Sequence, residues 1–412
     1  LMRSISRNLG VAFFSRIVVN ALGLVILAIL TRTLGPEGFG QYSTVYAYLF
    51  FVAIAADMGI GTLLTREISR EGADEVRVTS LLVTFRLVLI GVTTAAAVAL
   101  LPLVRYGSVV TLGILIIILA TAAQSIVQVL MGVFQKHLRL GVVSIGDMVT
   151  RGIQLVGLAV LLKLGLVALI PVLWINVAAE VIHVAIMLVA ARRIIPFHLR
   201  IDIPYWKRIL RSAFPIAASL VFTLVYFKID TIMLSVMRSE SEVGMYSVAY
   251  KVLEVIIFFP AMYVGLIMPL LSKFAFRSSE FRPVFFRAAR RLGAGAALTV
   301  LVLVVFANPI IAIIGDTAFS ASVPLLRILS LAVGIIFFGN LFGNAIIALD
   351  LQSKGVWIYA LGAVLNVILN LLFIPSYGAY AAAWNTVVTE LVVTMLMARL
   401  IWPAIANKGA RL

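Results

Sequence analysis

Apolar runs of about twenty residues recur along almost the whole chain, and no other feature restricts its fold as strongly. As a helix, such a run crosses the roughly 30 Å hydrocarbon core of a bilayer at about 1.5 Å per residue. Inside lipid every backbone N–H and C=O needs a partner within the protein, which leaves helices or closed barrels. These runs are too long and too evenly apolar for barrel strands. The chain therefore reads as an all-α polytopic membrane protein. Twelve spans are expected, at 10–31, 43–65, 79–103, 109–133, 145–163, 167–190, 213–237, 244–270, 292–314, 322–348, 355–374 and 379–402. Composition agrees: 63% of the 412 residues are hydrophobic and 12% charged, where soluble domains have about half and a quarter. The run Ile17 to Leu30 follows Arg3, Arg7 and Arg16, and no small-x-small site follows it. It is expected to be the first span, not a cleaved signal.

Lys and Arg give the orientation. Of 33, the N-terminus, the even-numbered loops and the C-terminus carry 22, the odd-numbered loops 3 and the spans 8. Basic loops stay in the cytoplasm. Both termini are expected there, in a multi-pass protein of the plasma or inner membrane. The most basic loops are 191–211 and 271–291. Their charge is read as topology signal and contact with anionic lipid, not as a nucleic-acid surface. No loop exceeds about twenty residues, so no soluble catalytic domain is expected. The chain has no cysteine and three scattered histidines. A disulfide or a metal site is not expected, and no P-loop or cofactor motif is visible.

A seven-residue motif occurs twice. GQYSTVY, Gly40 to Tyr46, opens the second span, and GMYSVAY, Gly244 to Tyr250, opens the eighth. At the same spacing Met58 meets Met262 and Gly61 meets Gly265. The copies sit at equivalent points of two six-helix halves, a parallel repeat about an axis along the membrane normal. The expected organisation is a lobe over 1–190, a basic connection over 191–212, a second lobe over 213–403 and a tail over 404–412. Coincidence is the rival explanation of the motif, and a monomer suffices for the architecture.

Ionisable side chains inside a bilayer cost several kcal/mol (about 2.5–3.5 on insertion scales) and usually mark function. Basic candidates for a cationic cavity are Arg16, Arg86, Arg151, Lys228 and Lys251. Acidic or polar candidates, for ion coupling or for lining the cavity, are Asp57, Glu180, His183, Asp230, Glu254 and Glu390. Spacing lets Asp147 and Arg151, Lys251 and Glu254, and Glu180 and His183 pair along one helix face, and simple helix-packing ion pairs are the plain reading of all three. Arg16 and Arg86 have no acid within a turn. Either other helices supply partners or these arginines face a wet cavity that attracts an anion. Gln124/Gln128, Asn340/Asn344 and Asn366/Asn370 form i, i+4 amide stripes, which join helices or line a polar path.

Three segments carry a family resemblance: RTLGPEGFGQYS (Arg32 to Ser43), KIDTIMLSVM with VGMYSVAYKV (Lys228 to Val252), and NVILNLLFIPSYGAYAAAWNTVVTE (Asn366 to Glu390). They resemble the Wzx-like polysaccharide flippases of the MOP transporter superfamily, over essentially the whole chain. The resemblance implies two six-helix lobes in a MATE-like V shape. It implies movement of polyprenyl-diphosphate-linked oligosaccharide from the cytoplasmic to the outer leaflet by alternating access, with membrane lipid and glycan polymerase or ligase machinery as further partners. No enzyme activity is implied. A peptidoglycan-precursor flippase and a drug/cation antiporter are the alternatives on the same scaffold. The antiporter cousins often carry an acid in the first helix, where this chain has only Arg16.

Overall fold

The computed structural model describes residues 2–275 and 278–406; within them, the side chains of residues 2–14, 16, 51, 54, 55, 212–226, 278, 404 and 406 lie outside the description. The described residues form thirteen α-helices: α1 (Met2–Asp57), α2 (Ile60–Ile68), α3 (Glu75–Leu100), α4 (Ser108–Lys136), α5 (Leu140–Leu164), α6 (Leu169–Arg192), α7 (Ile203–Met237), α8 (Glu240–Ile256), α9 (Phe258–Phe274), α10 (Ser278–Val305), α11 (Ala307–Gly315), α12 (Ser322–Ala348) and α13 (Gln352–Ala406). The twelve expected spans fall largely on these helices. Nine stretches among the described residues are long and apolar enough to cross a membrane. At 56 and 55 residues, α1 and α13 would each run roughly 80 Å if straight, far beyond one crossing. Each is divided by a glycine with positive φ, Gly35 (66°) in α1 and Gly378 (55°) in α13. Pro36 then starts the second half of α1, where its missing N–H costs no helical bond.

Three spans expected to be continuous are interrupted. The second breaks between α1 and α2 at Met58 and Gly59, both left-handed (φ 43° and 71°). The eighth breaks at Ile257 between α8 and α9, and the ninth at Phe306 between α10 and α11. Gly59 stands at the first break, and Pro260 and Pro309 each follow the later ones by three residues, leaving the carbonyls of Ile256 and Val305 without a helical N–H; hydrophobic periodicity alone passes over all three.

The contacts divide the chain into two compact units, Leu1–Leu34 with Gln41–Val221, and Gly35–Gly40 with Phe222–Leu412. In the first, Gly61 and Gly132 bring α2 and α4 together: a Cβ on Gly61 would lie 2.7 Å from the Gln128 carbonyl oxygen, and one on Gly132 2.8 Å from that of Gly61. Small residues let helices approach where lipid supplies no hydrophobic drive. In the second, the repeated motif finds its reason. A Cβ on Gly40 would lie 2.6 Å from the Glu240 carbonyl carbon, and one on Gly244 2.9 Å from that of Pro36. The two copies pack glycine against glycine, with no room for a methyl group on either.

The kink at Gly378 is held by one ion pair. Arg238 donates to the Pro375 carbonyl at 3.2 Å, and Glu242 accepts the Ala379 N–H at 3.3 Å. The two side chains meet at 2.8 Å. The cation sits at the end of one half-helix and the anion at the start of the next, as their dipoles favour.

Candidate functional site

In the first unit the break after Asp57 leaves carbonyls at the end of α1 without helical partners, and Arg86 of α3 takes one of them. Its guanidinium donates to the carbonyls of Ala56 and of Ser125 (3.1 Å for the latter), and to Gln128 Oε1 at 2.9 Å. Asp57 Oδ1 lies 2.9 Å from Nη1. Arg86 is wholly buried. Its acid therefore comes from another helix, the first of the two alternatives left by the sequence, and no surface remains on it for a ligand. Asp57 itself lines a small polar pocket of about 170 Å³ with Thr62, Gln128 and Gln135.

A second polar strip joins α5 and α6. Arg151 donates to Gln154 Oε1, and Gln154 donates to Asn176 Oδ1, both at 2.9 Å. Below them His183 stands 3.5 Å from Glu180 and 3.9 Å from Asp147. Gly146 admits the imidazole, since a Cβ there would lie 2.7 Å from Nε2. The rings of Tyr42 and Tyr46 of α1 lie 4.6 Å apart, tilted by 42°, beside this strip, and the Tyr46 hydroxyl lies in electrostatic range of Arg151 and Glu180. The side chain of Arg16 lies outside the described residues.

The second unit gathers the remaining candidates into two neighbouring groups. Glu254 of α8 takes two cations, Lys228 of α7 on one oxygen and Lys251 on the other at 2.7 Å. The Lys251–Glu254 spacing was readable in the sequence; the addition of Lys228 was not. Lys228 also lies 5.2 Å over the Tyr250 ring. Two lysines thus share the Glu254 carboxylate, and Lys251 is half exposed.

Two residues on from Lys228, Asp230 turns to the opposite side and is buried. Tyr246 donates to it at 3.0 Å, Thr386 at 2.8 Å, and Asn370 to its other oxygen. Asn370 in turn bonds Asn366 and receives from Asn385, both at 2.9 Å. The Asn366/Asn370 stripe thus serves a carboxylate. Thr386, Asn385 and Tyr246 were not singled out in the sequence, although Tyr246 belongs to the repeated motif. The kink at Gly378 folds the second half of α13 back so that Asn385 meets Asn370 and Thr386 meets Asp230. No Lys, Arg or His lies within 4 Å of Asp230 among the described residues. Glu390, also buried, lies in electrostatic range of the Tyr250 and Tyr359 hydroxyls. No group of three or more His, Asp or Glu able to hold a metal ion occurs among the described residues.

This helical arrangement is that of the MOP-superfamily transporters. A multidrug resistance MATE family transporter of that superfamily, in its inward-facing conformation, superposes with a TM-score of 0.77 at 12% identity, covering 95% of this chain and 96% of the other. The lipid II flippase MurJ, in an inward closed conformation, also gives 0.77 at 13% identity, covering 96% and 87%. A MOP superfamily transporter from Pyrococcus furiosus, described as having a binding pocket of reverse polarity, gives 0.62 at 12% identity, covering 98% and 96%. The chain belongs to the polysaccharide biosynthesis protein family, whose model matches residues 5–275. No curated protein matches. The Wzx-like resemblance read in the sequence thus holds for family and fold, and the chain is a multi-pass membrane protein.

Proposed function

We propose that this protein is a flippase for polyprenyl-diphosphate-linked oligosaccharide, moving it from the cytoplasmic to the outer leaflet by alternating access, with the termini of the chain in the cytoplasm of a plasma or inner membrane. The observation that carries this reading is the Lys228–Glu254–Lys251 group, two lysines gathered on one carboxylate within the spans, one of them half exposed. A diphosphate entering hydrocarbon costs on the order of tens of kcal/mol by Born solvation. Lysine side chains on a wet path offset much of that. A potential negative inside assists outward movement of an anion by about 2.3 kcal/mol per charge per 100 mV, so ATP is not required. Family membership in polysaccharide biosynthesis supports the glycan.

Roles divide accordingly. Lys228 and Lys251 hold diphosphate. Arg151, with Tyr42 and Tyr46 beside it, offers donors and ring faces suited to sugar. Asp230, buried among neutral donors, is the candidate for coupling to a cation or proton, and Glu390, Glu180 and His183 are secondary candidates. Arg86 and Asp57 leave the substrate set, because each neutralises the other and Arg86 has no free surface. The lobes 1–190 and 213–403 are the proposed moving bodies.

The test is binding by purified protein in nanodiscs. Polyprenyl-diphosphate oligosaccharide, lipid-linked peptidoglycan precursor and a lipophilic drug cation are titrated against wild type and a Lys228→Ala/Lys251→Ala variant. Tight binding of the diphosphate oligosaccharide that the variant loses is expected. Preference for the drug cation, untouched by the variant, would move the assignment to an antiporter. Preference for the peptidoglycan precursor would keep the diphosphate site and change the glycan.

A further inference from the structure

The connection from α6 into α7 is tied to α3 through its backbone. The His198 N–H donates to Ser80 Oγ at 3.0 Å and the Arg200 N–H to Thr84 Oγ1 at 2.9 Å. Ser80 and Thr84 are one helical turn apart, about 6 Å along α3, a distance that two residues cover only when extended. Beyond this point Asp202 accepts the Tyr205 N–H at 3.0 Å, capping α7, and takes Arg77 at 3.3 Å. The Tyr205 N–H, and then Arg77, hold the Asp202 carboxyl below its ordinary range, so it stays ionised. The Trp206 indole N–H donates to the Leu81 carbonyl at 3.0 Å, and its ring stacks on Phe85 at 5.3 Å. Residues 198–206 thus form a strap along α3.

The outer side of the strap is aliphatic. Leu199, Ile201 and Ile203 are 74%, 70% and 56% exposed, and residues two apart in an extended segment share a face. Around this row stand Arg192, Arg193, Arg200, Lys207, Arg208 and Arg211, all exposed, while Asp202 is the sole acid in 191–211. Two observations say what lies against it. First, α3 beyond the strap is peripheral: 11% of its most apolar window is buried, against 50% for α4, whereas Thr79 to Arg86 beside the strap are all buried. Second, the strap lies below the polar end of α3. Glu75 there binds Lys136, and His137 at 3.0 Å, whereas Ser80 and Thr84 lie about 7.5 and 13.5 Å further in at 1.5 Å per residue. Interfacial segments settle about 5–10 Å into the headgroup–acyl boundary.

We propose that residues 198–203 are an interfacial membrane anchor, with Leu199, Ile201 and Ile203 inserted into the cytoplasmic leaflet and the surrounding arginines and Lys207 on anionic lipid phosphates. The anchor is independent of which substrate the protein carries. It fixes the start of α7 in the same leaflet as α3, through lipid as well as through hydrogen bonds.

The chain has no cysteine, so a single introduced cysteine reports alone. Leu199→Cys, Ile201→Cys and, as an aqueous control, the exposed Glu71→Cys are each spin-labelled in the full-length protein, in nanodiscs of phosphatidylcholine with phosphatidylglycerol. Collision with oxygen is expected to exceed collision with a water-soluble nickel chelate several-fold at 199 and 201, and to fall below it at 71. Adding Ile201→Asp to the 199 label is expected to return that label to the aqueous pattern. Labels at 199 and 201 that match 71 would overturn the anchor, since the row would then face water. Labels shielded from both reagents would overturn it as well, because protein would cover the row. An Ile201→Asp change without effect on the 199 label would show that the row does not insert as a unit.

Discussion

The two units each interrupt the second helix of their repeat and place an acid near the break, and they treat that acid oppositely. In the first, Asp57 meets Arg86, the charges cancel, and the arginine is fully buried with its donors on backbone and amide oxygens. In the second, Glu254 meets two lysines, and Lys251 is half in the open. The acids do not occupy equivalent positions, for the motif spacing carries Asp57 onto Ala261. A broken helix needs its loose carbonyls satisfied and its charge balanced. The first unit does both with one guanidinium; the second gathers two cations on one carboxylate and leaves one of them half exposed.

The largest effect expected from this contrast is in Arg86→Ala. Removing one member of a buried pair costs on the order of 3–5 kcal/mol, so thermal unfolding in detergent should show a large loss of stability. Lysine at this position should restore little, lacking the fork that reaches several acceptors. An alanine variant as stable as wild type but inactive would break the comparison and return Arg86 to the substrate path. Next comes Lys228→Ala, which leaves Glu254 paired with Lys251. Folding should survive, while affinity for a diphosphate lipid falls about 10- to 100-fold, the range of one charge-assisted hydrogen bond at about 1.5–3 kcal/mol. Glu254→Gln should act in the other direction: with that counter-charge removed the lysine pair binds the diphosphate several-fold more tightly, and a single-turnover flipping assay should show slower release. Lys251→Ala should be mildest, since an exposed pair contributes up to about 1 kcal/mol; titration of the same lipid would rank it below Lys228→Ala. Equal losses at the two lysines would mean that they share one phosphate contact.

The contrast also marks how far the sequence carries. Span positions, the glycine turns at Gly35, Gly165 and Gly378, and the pairs Lys251–Glu254 and Glu180–His183 follow from local rules of length, turn chemistry and helical spacing. Gly165, for example, ends α5 in the left-handed conformation at φ 66°. What local rules miss are partners on other helices. Lys228 reaches Glu254 across 26 residues, and Arg86 finds Asp57 only because α1 stops there. The cradle of Asp230 depends on the fold-back of α13, which brings Thr386 to it across 156 residues. Charge in the spans was legible; which charges were spoken for was not.

The contact between Gly40 and Gly244 bears on how such a chain can vary. At exposed apolar positions of the spans one aliphatic residue replaces another with little consequence. At these two positions a methyl group on either would strike the carbonyl of the opposite copy, at Glu240 or Pro36. No change at one position makes room for a change at the other, because the obstacle in each case is backbone. A saturation library selected for folded protein should therefore return glycine alone at both sites, however freely the residues around them drift.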